Sequence, residues 1–270
     1  MRAPATDRAY RADWDAFTVW CAARQLTPLP AAATTVAGHL DDVAQDHKVP
    51  TIRRRLAAVR AAHLDAGAPS PTGAAPVRLA VARAEWQQRG RTRGTVPLGV
   101  EQLRAISHAL PATLAGRRDR ALLLVGYGAG LAPGELATLA TQNLRQVDRG
   151  LRVACRRGPV LVPFGSAPEL CAVDAWTRWR TAADLTEGPA FRPVDRHGRL
   201  GEHALSARAV TRIVRRAATA AGLDPSRYRG LSLRRGMVTV ATARGVSDER
   251  IMQHTGHRSR RLVQRYMHDG

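Results

Sequence analysis

Apolar positions recur at helical spacing through the first 90 residues. Trp14, Phe17 and Cys21 fall on one face of a first helix, since residues three and four apart stack along the axis. Val36, Leu40 and Val43 do the same in a second helix, with Thr34 placed to cap it. The segment TIRRRLAAVRAAHLDAG predicts a third, capped by Thr51 and stopped at Gly67, with Pro69 beyond. Its apolar stripe is Ile52, Leu56, Val59 and His63. A fourth helix is predicted from roughly Ala74 to Gln88, with Val77, Val81 and Trp86 inward. The stretch QQRGRTRGTVPLG then loses all periodicity and reads as a basic linker.

A second unit starts near Leu98. VEQLRAISHAL and the apolar RRDRALLLVGYGAG predict two helices, and Pro133 opens another, PGELATLA. Two extended runs follow, LRVACRR and VLVPFG, and predict a β-hairpin with its tight turn at Gly158-Pro159. CAVDAWTRWRTAADL, ALSARAVTRIVRRAATAAG, LSLRRGMVTVATARG, SDERIMQHTG and RRLVQRYMHD complete the chain as helices. The expected class is mainly α with a small β-hairpin or sheet. The expected organisation is a helical domain over 1–90, a linker over 91–97 and a larger domain over 98–270.

Charge changes this picture most. The 270 residues carry 42 Lys+Arg against 22 Asp+Glu, a net charge of +20. Residues 1–90 hold 12 basic and 8 acidic side chains, and residues 91–270 hold 30 and 14. Such a surface attracts polyanions, of which DNA is the commonest. The preference for arginine over the single lysine, Lys48, is what a GC-rich genome produces, but it does not account for the shortage of acids. Arg53 and Arg60, seven apart on one helical face, and Arg54 beside them are candidate phosphate contacts, as are Arg91 and Arg93 in the linker. An ordinary solvated face would look the same. No apolar run reaches membrane-spanning length and the N-terminus has no secretory pattern, so a cytoplasmic protein is expected. Cys21, Cys155 and Cys171 lack metal-ligand spacing and are expected to be free thiols.

The segment SLRRGMVTVATARGVSDERIMQHTGHRSRRLVQRY carries the most specific pattern. An arginine, Arg234, lies early in a helix; Gly256-His257 follows; Tyr266 comes nine residues after the histidine. This resembles the C-terminal box of tyrosine recombinases of the phage-integrase kind, and RDRALLLVGYGAGLAPGELATL resembles their first box. The order of helical domain, linker and hairpin is similar too. The resemblance implies a helical core-binding domain with a SAM-like fold followed by an integrase-type catalytic domain. It implies double-stranded DNA and further protomers as partners, with no cofactor and no metal. In that family a tyrosine hydroxyl attacks a phosphodiester to give a 3′-phosphotyrosine. Two arginines hold the phosphate, a hairpin lysine protonates the leaving oxygen, and histidines position groups and move protons.

Carried over by position, Tyr266 matches the nucleophile, Arg234 the second arginine, His257 the histidine before the tyrosine, and Glu135 the supporting acid. Three positions depart from the pattern. Ala132 stands where the first arginine belongs, Leu231 replaces a histidine, and the hairpin has no lysine. The hairpin offers Arg156 or Arg157, of which Arg156 is the candidate stand-in. An arginine is a poor proton donor, with a pKa above about 12. Arg235 and Arg258, flanking the matched residues, are further candidate DNA contacts.

The expected function is therefore a DNA-binding recombinase homologue with impaired catalysis. An active recombinase with a rearranged site, in which Arg156, Arg157 or Arg235 completes the clamp, is the alternative. A protein-interaction module is a third reading, disfavoured by the charge. Four residues follow Tyr266, so exchange of a long tail between protomers is not expected. A monomer that assembles on DNA is.

Overall fold

The computed structural model describes residues 4–88 and 95–268. The chain divides into two compact units, residues 1–93 and 94–270. Arg91 and Arg93 lie outside the described residues.

The first unit contains α1 (Pro4–Ala22), α2 (Ala33–Asp46), α3 (Val49–Asp65) and α4 (Ala75–Gln87). α1 lies against α3, and α2 against α4. Phe17, Cys21, Val36, Leu40, Ile52, Val59 and Val77 close the core, as their helical spacing requires. Two details differ from expectation. α2 and α3 begin before Thr34 and Thr51, with Ala32 and Lys48 at the cap positions, and neither start has a side-chain cap. Trp86 is 70% exposed, because α4 turns the small residues Ala80 and Ala84 inward beside Val77.

His39 is 2% exposed, wedged edge-on between Phe17 and Trp20 at ring distances of 5.1 and 5.2 Å. Burial, with Arg55 nearby, pushes its pKa down to about 4. The unfolded chain, with an imidazole pKa near 6.5, therefore takes the proton first. Stability from this group is complete above about pH 6.5 and is lost as pH falls towards 4, by about 2 to 3 kcal/mol. In His39→Phe that part of the acid loss should vanish when urea unfolding at pH 7 and pH 4.5 is compared with wild type. Equal acid losses in the two proteins would refute it.

The second unit is helical around a small sheet. Its helices are α5 (Val100–Ala109), α6 (Leu114–Gly128), α7 (Pro133–Ala137), α8 (Ala172–Ala182), α9 (Ala207–Ala220), α10 (Leu231–Ala243), α11 (Asp248–Thr255) and α12 (Arg260–His268). The apolar α6 runs through the centre and α8 packs on it. Trp176 and Trp179 are buried there, and the Trp179 indole N–H donates to the Ala190 carbonyl at 2.9 Å.

The sheet has three antiparallel strands in the order β1 (Leu144–Val147), β2 (Gly150–Cys155), β3 (Gly158–Val162). Leu151, Val153, Val160 and Val162 alternate onto the core. β1 was not expected, since LRQV is too short to display an alternation. The hairpin turn also differs. Cys155 pairs with Gly158, and Ala154 with Pro159, so the turn residues are Arg156 and Arg157. Gly158-Pro159 reads as a turn, but β3 is an edge strand, where a proline without an N–H is accommodated. No described helix is long and apolar enough to cross a membrane. Cys21, Cys155 and Cys171 are free thiols.

Candidate functional site

The site forms where the end of α6, the start of α7, the β2–β3 turn, α10 and α11 meet. α6 ends at Gly128, and Gly130 adopts a positive φ of 58°. A Cβ there would lie 2.5 Å from the Met237 Cε and 3.1 Å from the Thr255 Cγ2, so the tight reversal needs glycine. The reversal delivers Ala132 as the residue before α7, and Glu135 one turn in. One Glu135 oxygen, Oε2, accepts the Ala132 N–H at 2.7 Å. This is the usual way an acid in a first helical turn satisfies an orphan donor.

The same carboxylate holds two guanidinium groups. Arg234, on α10, donates from Nη1 to Glu135 Oε2 at 3.0 Å and from Nη2 to the Thr255 carbonyl. Arg157, from the β2–β3 turn, donates from Nη1 to Glu135 Oε1 at 2.6 Å, from Nη2 to the Ala129 carbonyl at 2.7 Å and from Nε to the His254 carbonyl at 2.9 Å. Both arginines are buried or nearly so. Burial pulls the Arg234 pKa below its ordinary value, while Glu135 and Tyr266 beside it oppose that shift. The Arg234 Nε is buried without a hydrogen-bond partner among the described residues. Such a donor is costly to leave unpaired.

α11 is closed by Gly256, in the left-handed region at φ 71°, with His254 in its last turn and His257 just beyond. His254 donates from Nε2 to the Gly128 carbonyl at 2.9 Å, and burial lowers its pKa. The Thr255 hydroxyl donates to the Ile251 carbonyl at 2.6 Å and lies 2.5 Å from the His257 Nδ1. With the hydroxyl proton committed, Nδ1 is the donor of that pair, which leaves Nε2 with a lone pair. The Nε2 atom is buried and has no partner among the described residues. Burial, then Arg234 and Arg157, push the His257 pKa down to about 4, so the ring is neutral at physiological pH.

Tyr266 is brought to this cluster by packing within the same chain. Val263 of α12 is buried against Val238 of α10 and Ile251 of α11, and Tyr266 packs against that cluster. Its ring meets His257 edge-on at 5.2 Å, and the Arg235 guanidinium lies 5.3 Å from its centroid.

The structure thus brings Glu135, Arg234, His257 and Tyr266 together with Ala132. Of the two turn arginines, Arg157 reaches the cluster and Arg156 is exposed. Leu231 opens α10 and is 40% exposed. Arg235 is buried, and Arg258 is exposed just after His257. In the first unit, Arg53 pairs with Glu85 at 2.6 Å, Arg54 pairs with Asp13 at 2.7 Å, and Arg60 is exposed. Sequence reasoning named Arg157 only as one of two options and passed over Thr255. Neither carries a signal without the turn's position.

The sequence pattern of the phage integrase family matches residues 98–270. This chain belongs to that family. An integrase/recombinase XerD homologue of Selenomonas ruminantium is 32% identical over 282 residues, covering 100% of this chain and 83% of that protein. Among solved structures, a lambda integrase(75-356) dimer bound to a COC′ core site superposes with a TM-score of 0.63 at 17% identity, covering 99% of this chain and 90% of that one. XerA recombinase gives 0.52 at 16% identity, over 99% and 88%. XerH recombinase bound to a palindromic difH substrate gives 0.61 at 15%, over 88% and 69%. At these identities the superpositions speak for the fold. Arg234 and Arg157 converge on one carboxylate, that of Glu135. Among the described residues, no cluster of three or more His, Cys, Asp or Glu side chains could hold a metal.

Proposed function

We propose that this protein binds double-stranded DNA at recombination-type sites, alone or with further protomers, and that its integrase unit grips a backbone phosphate while strand cleavage through Tyr266 is strongly impaired. One observation carries the reading. Arg234 and Arg157 face the same carboxylate beside Tyr266, so positive charge is concentrated at the nucleophile position, yet the unit holds no lysine to protonate a leaving oxygen. Loss of a general acid lowers rates by roughly 100- to 10,000-fold. His257 and His254 are poor replacements, since both rings are held in the neutral form. Binding needs none of this proton transfer.

Position 132 adds to the impairment, because an arginine there would contribute a preorganised contact to the transition state. Removing one such donor commonly lowers rates by about 100- to 1000-fold. A second reading, an active recombinase that forms a 3′-phosphotyrosine at Tyr266, is favoured by the presence of Arg157 beside Arg234. A duplex selected from a random pool by binding, then nicked beside each candidate cleavage point to trap a covalent complex, separates the two. Wild type should retain the duplex and give no more adduct than Tyr266→Phe. An adduct formed by wild type and lost in Tyr266→Phe would replace the impaired reading with the active one.

A further inference from the structure

We infer that Arg157, reaching in from the β2–β3 turn, is a second phosphate-gripping guanidinium beside Arg234, supplied from the hairpin at a site where residue 132 is alanine. The inference rests on the DNA-binding reading above and names how the phosphate is held. Glu135 joins the three positions concerned. Its Oε1 takes Arg157, and its Oε2 takes both Arg234 and the Ala132 backbone N–H. The Arg157 head is thus one carboxylate away from the backbone of the residue that has no long side chain.

The head is also held in a fixed plane. Its three bonds, to Glu135 and to the Ala129 and His254 carbonyls, come from three different elements. A guanidinium has five N–H groups, so one remains on each terminal nitrogen. Two N–H groups on a preorganised plane match the fork of a phosphate's non-bridging oxygens.

Charge and unmet bonding point the same way. Two guanidinium groups share a single carboxylate in a largely buried setting, which leaves one positive charge uncompensated. The Arg234 Nε, a donor, is buried and unpartnered among the described residues. Arg157 also acts electrostatically on both Arg234 and His257, which flank Tyr266.

The seat for the Arg157 stem is specific. Gly256 has φ 71°, and a Cβ added there would lie 2.6 Å from the Arg157 Cδ. The stem crosses where any other residue's side chain would begin.

The competing role is a structural staple, in which Arg157 only pins the turn to α6 and α11. A charge-removal cycle with the full-length protein separates them. The probe is the pool-selected duplex carrying a single neutral methylphosphonate at successive backbone positions. Wild type should show one phosphate whose neutralisation weakens binding about tenfold or more. In Arg157→Gln, binding to the unmodified duplex should fall about tenfold, and neutralising that phosphate should then cost a smaller factor than in wild type, the remainder being the Arg234 contact. Adding Ala132→Arg to Arg157→Gln should restore both the affinity and the sensitivity to that phosphate.

Equal losses on the charged and neutral duplexes would make Arg157 a staple and overturn the inference, while leaving DNA binding intact. Wild type that holds no duplex would overturn the DNA-binding reading, and the inference with it. Arg157→Lys, which keeps the stem and the charge, carries the same comparison if the glutamine variant melts at the assay temperature. A lysine variant that weakens both duplexes equally would again overturn it.

Discussion

Glu135→Ala should destabilise the integrase unit by about 2 to 4 kcal/mol, read as the shift in the urea unfolding curve at pH 7. The carboxylate accepts from Arg157, Arg234 and the Ala132 N–H at once. Removing it leaves two positive groups facing each other with little water to screen them, and it orphans a backbone donor at the start of α7. Breaking a buried pair by deleting one partner typically costs about 3 to 5 kcal/mol. The expected loss is set lower because Glu135 is 31% exposed. Glu135→Gln should lose roughly half as much, because its amide oxygen still accepts from Ala132 while the charge is gone. A loss below about 1 kcal/mol in the alanine variant would show that the two guanidinium groups do not depend on this carboxylate.

The second large effect is on binding. Affinity for the selected duplex should fall by about a thousandfold or more between 50 and 200 mM salt, the behaviour of a protein that displaces counterions from six or more phosphates. Residues 91–270 carry 30 basic side chains against 14 acidic ones, and exposed arginines such as Arg156 and Arg258 lie in sequence beside the site residues Arg157 and His257. Electrophoretic mobility titrations at four salt concentrations would give the slope. A change smaller than about tenfold would mean that few phosphates are engaged and would count against DNA as the principal partner.

These two effects differ in how far the sequence reveals them. The salt response follows from composition alone. The stability effect does not, although the order along the chain singles out Glu135, Arg234, His257 and Tyr266 as candidates. What the order lacks is the distance between α7 and the hairpin, and hence the partner of Glu135. The reason is local. Gly158-Pro159 has the composition of a turn, yet the chain reverses two residues earlier, at Arg156 and Arg157. A shift of that size decides which arginine points at the protein and which at solvent. The long helices were legible because each presents an apolar stripe over several turns. β1 was not, with two apolar residues in four. The helix starts after Ala32 and Lys48 carry no capping side chain, and the threonines that look like caps lie inside the helices. Trp86 misled for the opposite reason: size suggested burial, but Ala80 and Ala84 allow α4 to approach its neighbour more closely than a tryptophan would.

The β2–β3 turn contains two residues, and one of them is fastened at three points to the helices behind it. A connection this short has no slack. One extra residue would rotate Arg157 away from Glu135 or force the strands to slip, and either outcome empties the position beside Arg234. The hairpin therefore works as a gauge of fixed length: its registration against the helical body, more than the identity of its tip residues, decides whether a guanidinium arrives at the site.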